Sequence, residues 1–238
     1  DTGTWVRRRF TIDAEAQAAE RLLNTGFWVD NPAFSDHRHR NGILSAVYLA
    51  LSVPALGRRL LPEGIRLKHV EGGDGYGRHV RNMLLQPFAT LANAWTIVKQ
   101  RYLQTPRRPG FLMKNPSGRY ALTYHAEQSP SRDSRVDLHT EPGARSRLSV
   151  ELAFDAGDAD SVVRAHERLD AALRSSGKGH LDYRLPEAER RRSVLAQASD
   201  GYHQLGLLRM GRSPETSVVD ANCRVHEIDN LYVASTGV

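Results

Sequence analysis

The residue best suited to chemistry in this sequence is His203, which stands in a loop between Gly201 and Gly206. An imidazole titrates at roughly pH 6.5, so it can accept a proton from a hydroxyl group near neutrality. A single histidine between glycines is by itself typical of a structural or solvated residue. Its chemistry therefore depends on the sequence around it.

Other groupings of reactive residues do not form a recognisable site. The segment Gly73–Gly77 lacks GxGxxG spacing and follows no hydrophobic strand, which favours a linker or the start of a helix over a phosphate loop. His37 and His39 are two positions apart and have no carboxylate at zinc-site spacing, which favours a solvated loop. Asp158 and Asp160 lack the glycine and glutamate of a calcium loop, and the sequence contains no GxSxG motif.

Composition indicates a soluble globular protein, with 238 residues, 40% apolar and 25% charged, and a net charge of +6. The positive charge is mostly arginine in short clusters without interleaved aromatic residues, so we expect no nucleic-acid partner. No run approaches about 18 apolar residues, so we expect no membrane partner. Cys223 is the single cysteine, which excludes an intrachain disulfide and favours a cytoplasmic location.

The hydrophobic pattern predicts an α+β fold, a mainly antiparallel sheet with helices packed on one face and no Rossmann flavin unit. Residues 27–40 are predicted to be a polar loop and residues 105–110 a linker, while Pro54 and Pro87 should interrupt helices. Strands are predicted at 5–12, 119–128, 134–139 and 147–154, with short ones at 217–219 and 231–233. Helices are predicted at 13–23, 43–53, 55–61, 78–103, 158–175 and 186–198, and Asp13 and Asp158 are expected to cap the first and fifth.

Three motifs follow one another in the tail: GYHQLGLLRMG at 201–211, SVVDANCRVH at 217–226 and DNLYVASTGV at 229–238. In this order and spacing they resemble the C-terminal motif of the glucose–methanol–choline (GMC) oxidoreductases, over about residues 199–238. That family runs His-x-x-Gly-Thr-x-x-Met-Gly, then Val-Val-Asp with Arg-Val downstream, then Asn-Leu-x-Val. Residues 120–138, with EQSP at 127–130, also resemble a segment of the family.

The resemblance implies an FAD-dependent alcohol or sugar oxidoreductase that transfers hydride from the substrate to the flavin. His203 would then be the catalytic base beside the flavin and the substrate alcohol, with Tyr202 next to the isoalloxazine ring. Ser235 and Thr236 would lie where the chain approaches FAD in a short turn. Residues 1–198 would form the substrate-binding domain and residues 199–238 the flavin-side motif. The partner is expected to be a small alcohol or sugar-like molecule.

Two departures from the family pattern leave an alternative open. Leu207 replaces the usual threonine, and Ser235 stands where many members have aspartate. The sequence also opens on Asp1, ends at Val238 and contains no GxGxxG unit, so we expect the flavin-binding unit on a longer form of the protein or on a second chain. The alternative is a flavin-free, repurposed substrate domain that binds or isomerises a ligand. A basic module that binds an anionic partner is the weakest interpretation, because no known motif supports it.

Overall fold

The computed structural model describes residues 9–73, 75–105, 112–113, 115–140, 143, 145–198, 206–235 and 237. The chain divides into two units. Unit 1 contains residues 1–10 and 26–124, and unit 2 contains residues 11–25 and 125–238. The division by contacts leaves the predicted domain boundary at residue 199 untested, and that boundary stays a prediction.

A three-stranded sheet has the order β1-β2-β3, with β1 at Arg9–Phe10, β2 at Thr25–Asp30 and β3 at Ala121–Ala126. Strands β1 and β2 are antiparallel, and Phe10 pairs with Phe27. The rings of these two phenylalanines stack with centroids 6.0 Å apart, and Phe27 is fully buried. Strand β2 thus occupies the start of the predicted polar loop, because its aromatic and β-branched residues alternate there.

Unit 1 is built around helix α2, Gly42–Ser52, which carries most of its buried apolar side chains. Asn41 caps α2, and its Oδ1 accepts the N–H groups of Ile43 and Leu44 at 3.0 and 3.2 Å. Pro54 ends α2 and begins α3, Pro54–Leu60, at a bend of 110°. Helix α4, Glu63–Val70, was not predicted. It is held to α2 by a hydrogen bond of 2.9 Å from Arg66 Nη1 to the carbonyl of Leu51.

Helices α5, Tyr76–Leu85, and α6, Pro87–Val98, pack on α2 and are separated at Pro87, as predicted. A π-helical segment, Lys99–Leu103, continues α6. Gly42 of α2 lies against α6, where a β-carbon would collide with the Thr90 hydroxyl. That hydroxyl donates to the carbonyl of Gln86 at 2.7 Å, so it is fixed in this position. Only a glycine therefore fits at residue 42 with this helix spacing.

Unit 2 is organised by the long helix α7, Ala156–Ser175. Its N-cap is Asp155, and Asp158 completes the capping box, so the predicted cap at Asp158 was three residues too late. Helix α1, Ala14–Glu20, is capped by Asp13 as predicted. A hydrogen bond of 2.8 Å from the N–H of Leu23 to Ser161 Oγ connects the α1 segment to α7.

A further helix and a pair of strands also belong to unit 2. Helix α8, Glu187–Gln197, pairs with α7 through Arg191 Nη2 and Asp160 Oδ1 at 2.6 Å. Strands β4, Arg135–His139, and β5, Arg147–Glu151, form an antiparallel pair in which Leu138 faces Leu148. Both leucines are exposed.

The structure mixes helices with antiparallel strand pairs, which confirms an α+β composition. The tail forms isolated bridges in place of the two short strands predicted at 217–219 and 231–233. In the described part of the chain no single helix is long and apolar enough to cross a membrane; α2 and α3 taken together pass that test by length and composition.

Candidate functional site

Val219 joins the first two tail motifs. Its side chain is fully buried, and its backbone bridges Met210 in parallel and Val225 in antiparallel orientation. The N–H of Gly211 donates to the Val219 carbonyl at 2.9 Å. A β-carbon at Gly211 would lie 2.7 Å from the Ser217 β-carbon, so this position accepts no side chain without a shift. Segments 206–211 and 217–226 are therefore one folded piece.

The third motif is attached to both of the others. The N–H of Val233 donates to the carbonyl of Cys223 at 2.8 Å, which connects the third motif to the second. The N–H of Leu208 donates to the carbonyl of Gly237 at 2.6 Å, which connects it to the first. The structure thus brings together three segments that the sequence showed only as an ordered series.

Of the predicted site residues, the structure describes Ser235. This residue is exposed, and its hydroxyl oxygen accepts the N–H of Gly237 at 2.9 Å. Tyr202, His203 and Thr236 lie outside the described residues.

The backbone next to these predicted residues is nevertheless constrained. Leu208 follows His203 by five residues, and Gly237 directly follows Thr236. The Leu208–Gly237 hydrogen bond therefore ties the segment after His203 to the segment that contains Ser235.

Asp220, the acid of the Val-Val-Asp motif, organises the turn between the bridges. Its Oδ1 accepts the N–H groups of Asn222 and Arg224 at 2.8 and 3.0 Å. These backbone hydrogen bonds, helped by the Arg224 guanidinium, lower the pKa of Asp220 below its usual value. Cys223 is half-buried in this turn with a φ of 61°. In this structure the motif acid fixes backbone geometry.

Ser217 and His226 are close enough to suggest a nucleophile and its base, but their hydrogen bonds argue otherwise. The Ser217 hydroxyl donates to the carbonyl of Ser213 at 2.6 Å, which uses its single hydrogen. His226 Nε2 lies 2.9 Å from Ser217 Oγ and must therefore be the donor of that bond. An imidazole that donates to a hydroxyl cannot take its proton, so the pair is structural.

A second group of polar side chains is buried in unit 1 around His79 of α5. Its Nδ1 lies 3.1 Å from Ser45 Oγ and its Nε2 lies 3.3 Å from the carbonyl of Ser35. Asn82 Nδ2 donates to the same Ser45 oxygen at 3.1 Å. Because a carbonyl only accepts, His79 Nε2 carries a hydrogen and donates it to the carbonyl of Ser35.

His39 lies beside His79, with ring centroids 5.7 Å apart, and is 2% exposed. The prediction of a solvated loop was thus wrong for this residue. Its Nδ1 accepts the N–H of Asn41 at 2.9 Å, while its buried Nε2 has no hydrogen-bond partner among the described residues. Burial, with a smaller contribution from His79, lowers the pKa of His39 to about 4.

These buried histidines do not form a metal centre. Over the described ranges, no group of three or more His, Cys, Asp or Glu side chains could hold a metal ion. The Tyr48 ring covers His79 with centroids 4.3 Å apart, and Gly73 lies close against Tyr48. The glycine-rich segment leads into α5, as predicted, because Gly75 is the N-cap of that helix.

Comparison with known proteins gives a family match for the C-terminal part of the chain. The C-terminal family model described as GMC oxidoreductase matches residues 129–238, just under half of the chain. A curated relative, 6'''-hydroxyparomomycin C oxidase of Streptomyces lividus, is 31% identical over 106 residues. No solved structure matches.

The match to this relative covers 44% of the present chain, and the chain spans only 18% of the relative's length. The family match begins at Ser129 and includes all three tail motifs. Residues 129–238 therefore match the C-terminal part of the GMC oxidoreductase family, which confirms the resemblance.

Proposed function

We propose that this chain is the C-terminal, substrate-side part of an FAD-dependent oxidoreductase acting on the CH–OH group of a small alcohol or sugar-like molecule. The observation that carries the proposal is the backbone bonding of the three family motifs through Val219 and through the Leu208–Gly237 hydrogen bond. The GMC family is generally FAD-dependent. The relative's name describes an oxidase of a hydroxylated compound, which agrees with this substrate class.

The proposed site divides the work between the cofactor and the chain. FAD, when bound, supplies the hydride acceptor. The imidazole of His203 takes the proton of the substrate hydroxyl, and Tyr202 lies beside the ring system. Ser235 and Thr236 contribute hydroxyl groups to the cofactor. A cytoplasmic location and a sheet covered by helices on one face, as in a GMC substrate domain, are parts of the same proposal.

One described residue of the proposed site, Ser235, supports a contact with a polar group of the cofactor. The Ser235 hydroxyl is exposed and, among the described residues, donates to no acceptor, so its hydrogen is available to a polar group of the cofactor. The glycine-rich segment Gly73–Gly77 follows helix α4 and begins helix α5, so it does not provide the strand-to-helix turn that would bind the adenosine diphosphate portion. We therefore expect the flavin-binding unit on a longer form of the protein or on a second chain.

A visible absorption spectrum of the purified native protein, with the mass measured on the same sample, is the first test. A flavin band is expected when the flavin-binding unit is present. A folded protein that remains colourless after FAD is added, even with every segment of the native gene product present, would favour the flavin-free alternative.

The second test is His203→Ala in the flavin-bearing protein. Loss of a positioned base is expected to lower turnover by roughly 10²–10⁴-fold. His180→Ala is the matched control, because His180 is an exposed histidine whose Nε2 lies 3.2 Å from Asp182 in a surface loop. Turnover of the His203 variant within a few-fold of the control would refute the assignment.

A further inference from the structure

Helix α6 combines two properties that rarely occur together in a water-soluble protein. Its sequence, PFATLANAWTIV, contains no charged residue, and Thr90 is its one buried member. Phe88, Leu91 and Trp95 are 86%, 69% and 62% exposed. A helix without charges is normally buried, and a large exposed apolar surface marks an interaction site. This helix therefore requires a covering partner.

The exposed apolar surface extends beyond both ends of α6. The end of α5 and the π-helical segment contribute further exposed side chains of the same kind. We call this surface the α6 face; its members are Leu84, Leu85, Phe88, Leu91, Trp95, Val98, Tyr102 and Leu103.

The charge of the segment that carries the α6 face indicates the chemistry of the partner. Residues 75–126 contain eight Lys or Arg and no Asp or Glu. The other 186 residues contain 25 Lys or Arg and 27 Asp or Glu, a net charge of −2. The net positive charge of the chain thus comes from the segment that carries the α6 face, because that segment lacks acidic residues. Arg81 and Lys99 are exposed near its two ends.

We infer that the α6 face docks onto an anionic lipid surface. An in-plane helix with leucine and aromatic side chains toward the acyl region and basic side chains toward the headgroups has this composition. Trp95 and Tyr102 are the residue types that prefer the membrane interface. A docked helix needs no spanning run of about 18 apolar residues, so the sequence argument against a membrane partner does not apply to it.

A second copy of the chain is a poorer occupant. In a two-fold dimer the same surface meets itself, so two segments whose described residues carry five positive and no negative side chains would be brought together. Like charges placed across an interface disfavour association. An anionic surface removes this repulsion, and each basic residue near it is expected to strengthen binding roughly five-fold at low salt.

Co-sedimentation of the full chain with vesicles tests the inference. We expect binding to equal parts phosphatidylserine and phosphatidylcholine, and at least about ten-fold weaker binding to phosphatidylcholine alone. Phe88→Ser with Trp95→Ser should abolish the binding, and Arg81→Glu with Lys99→Glu should weaken it more than ten-fold. Added salt should weaken the binding of the unmodified chain.

Matched controls distinguish binding through the α6 face from nonspecific adsorption to vesicles. Leu138→Ser with Leu148→Ser removes two leucines of β4 and β5 that are 64% and 71% exposed, and Lys178→Glu reverses an exposed charge of unit 2. Both controls should bind vesicles like the unmodified chain, and circular dichroism should show every variant folded. If the Phe88 and Trp95 pair proves unfolded, the charge-reversal pair provides the same comparison.

Several outcomes would overturn the inference. Absence of phosphatidylserine binding at low salt, or equal binding to both kinds of vesicle, would exclude an anionic lipid surface. A dimeric mass that becomes monomeric on Phe88→Ser with Trp95→Ser, without vesicle binding, would assign the face to a second copy. Vesicle binding that disappears in a form carrying the flavin-binding unit would assign it to that unit.

Discussion

Acid should destabilise unit 1 through the buried His39. The pKa of His39 is lowered from 6.5 to about 4, so between these values the unfolded state binds a proton that the folded state excludes. Stability therefore rises with pH in this window and falls as the pH drops below 6.5. For this one group the free energy of unfolding should fall by about 2 kcal/mol on going from about pH 7.5 to about pH 5, and by about 3 kcal/mol at about pH 4.

The variant His39→Asn isolates this contribution. An asparagine Oδ1 can replace the ring Nδ1 as acceptor for the N–H of Asn41, whereas the titrating group and the buried Nε2 are removed. Urea unfolding followed by tryptophan fluorescence reports on unit 1, since Trp28 and Trp95 both belong to it. The fall in unfolding free energy between about pH 7.5 and about pH 5 should be smaller in the variant by about 2 kcal/mol.

The test compares how steeply the unfolding free energy of each variant falls with pH. It does not compare the absolute stabilities. The smaller side chain is expected to cost about 1–3 kcal/mol at both pH values through the cavity it leaves, and this cost cancels in the difference. His180→Asn, at an exposed position of unit 2, should leave the dependence unchanged. If His39→Asn and the unmodified chain lost stability equally between the two pH values, the neutral buried His39 would be refuted.

Three further predictions concern the framework of unit 2, one of them with a comparison variant in unit 1, and can be checked by thermal unfolding followed by circular dichroism. Asp220→Ala should lower the unfolding temperature of the tail above the low pKa of Asp220, because its carboxylate stabilises the fold there, and the difference should vanish as acid protonates it. Gly211→Ala should destabilise by about 1–3 kcal/mol through overpacking, whereas Gly64→Ala, in open space on α4, should stabilise by about 0.5–1 kcal/mol. Asp155→Ala should cost about 1 kcal/mol through loss of the α7 capping box, and an unchanged unfolding curve would contradict that role.

Local sequence signals predicted the helices well because their causes are local. Asn41 and Asp13 cap helices where a capping residue precedes an apolar run. Pro54 and Pro87 interrupt helices because proline cannot donate the backbone hydrogen bond. Strand β2 was missed because its alternation is short and is followed by asparagine and proline.

Long-range arrangements could not be predicted in the same way. His79 meets Ser45 across 34 residues and Ser35 across 44, and no local pattern records such a pairing. In the tail, the three motifs could be recognised from the sequence, but their connection through Val219 could not be predicted. The charge segregation of residues 75–126 was readable, but only by counting over a long window, since its basic residues are spread out.

The contact between Gly42 and Thr90 connects the buried helix α2 to helix α6, whose apolar side chains are exposed. A methyl group added at residue 42 would collide with the Thr90 hydroxyl, so either Thr90 would have to rotate and lose its hydrogen bond to Gln86 or α6 would have to move away from α2. Helix α6 is short and carries its apolar side chains outward. If it moved, the exposed rings of Phe88 and Trp95 would therefore move with it. The absence of a side chain at residue 42 thus allows α6, which carries the exposed Phe88 and Trp95, to lie close against α2.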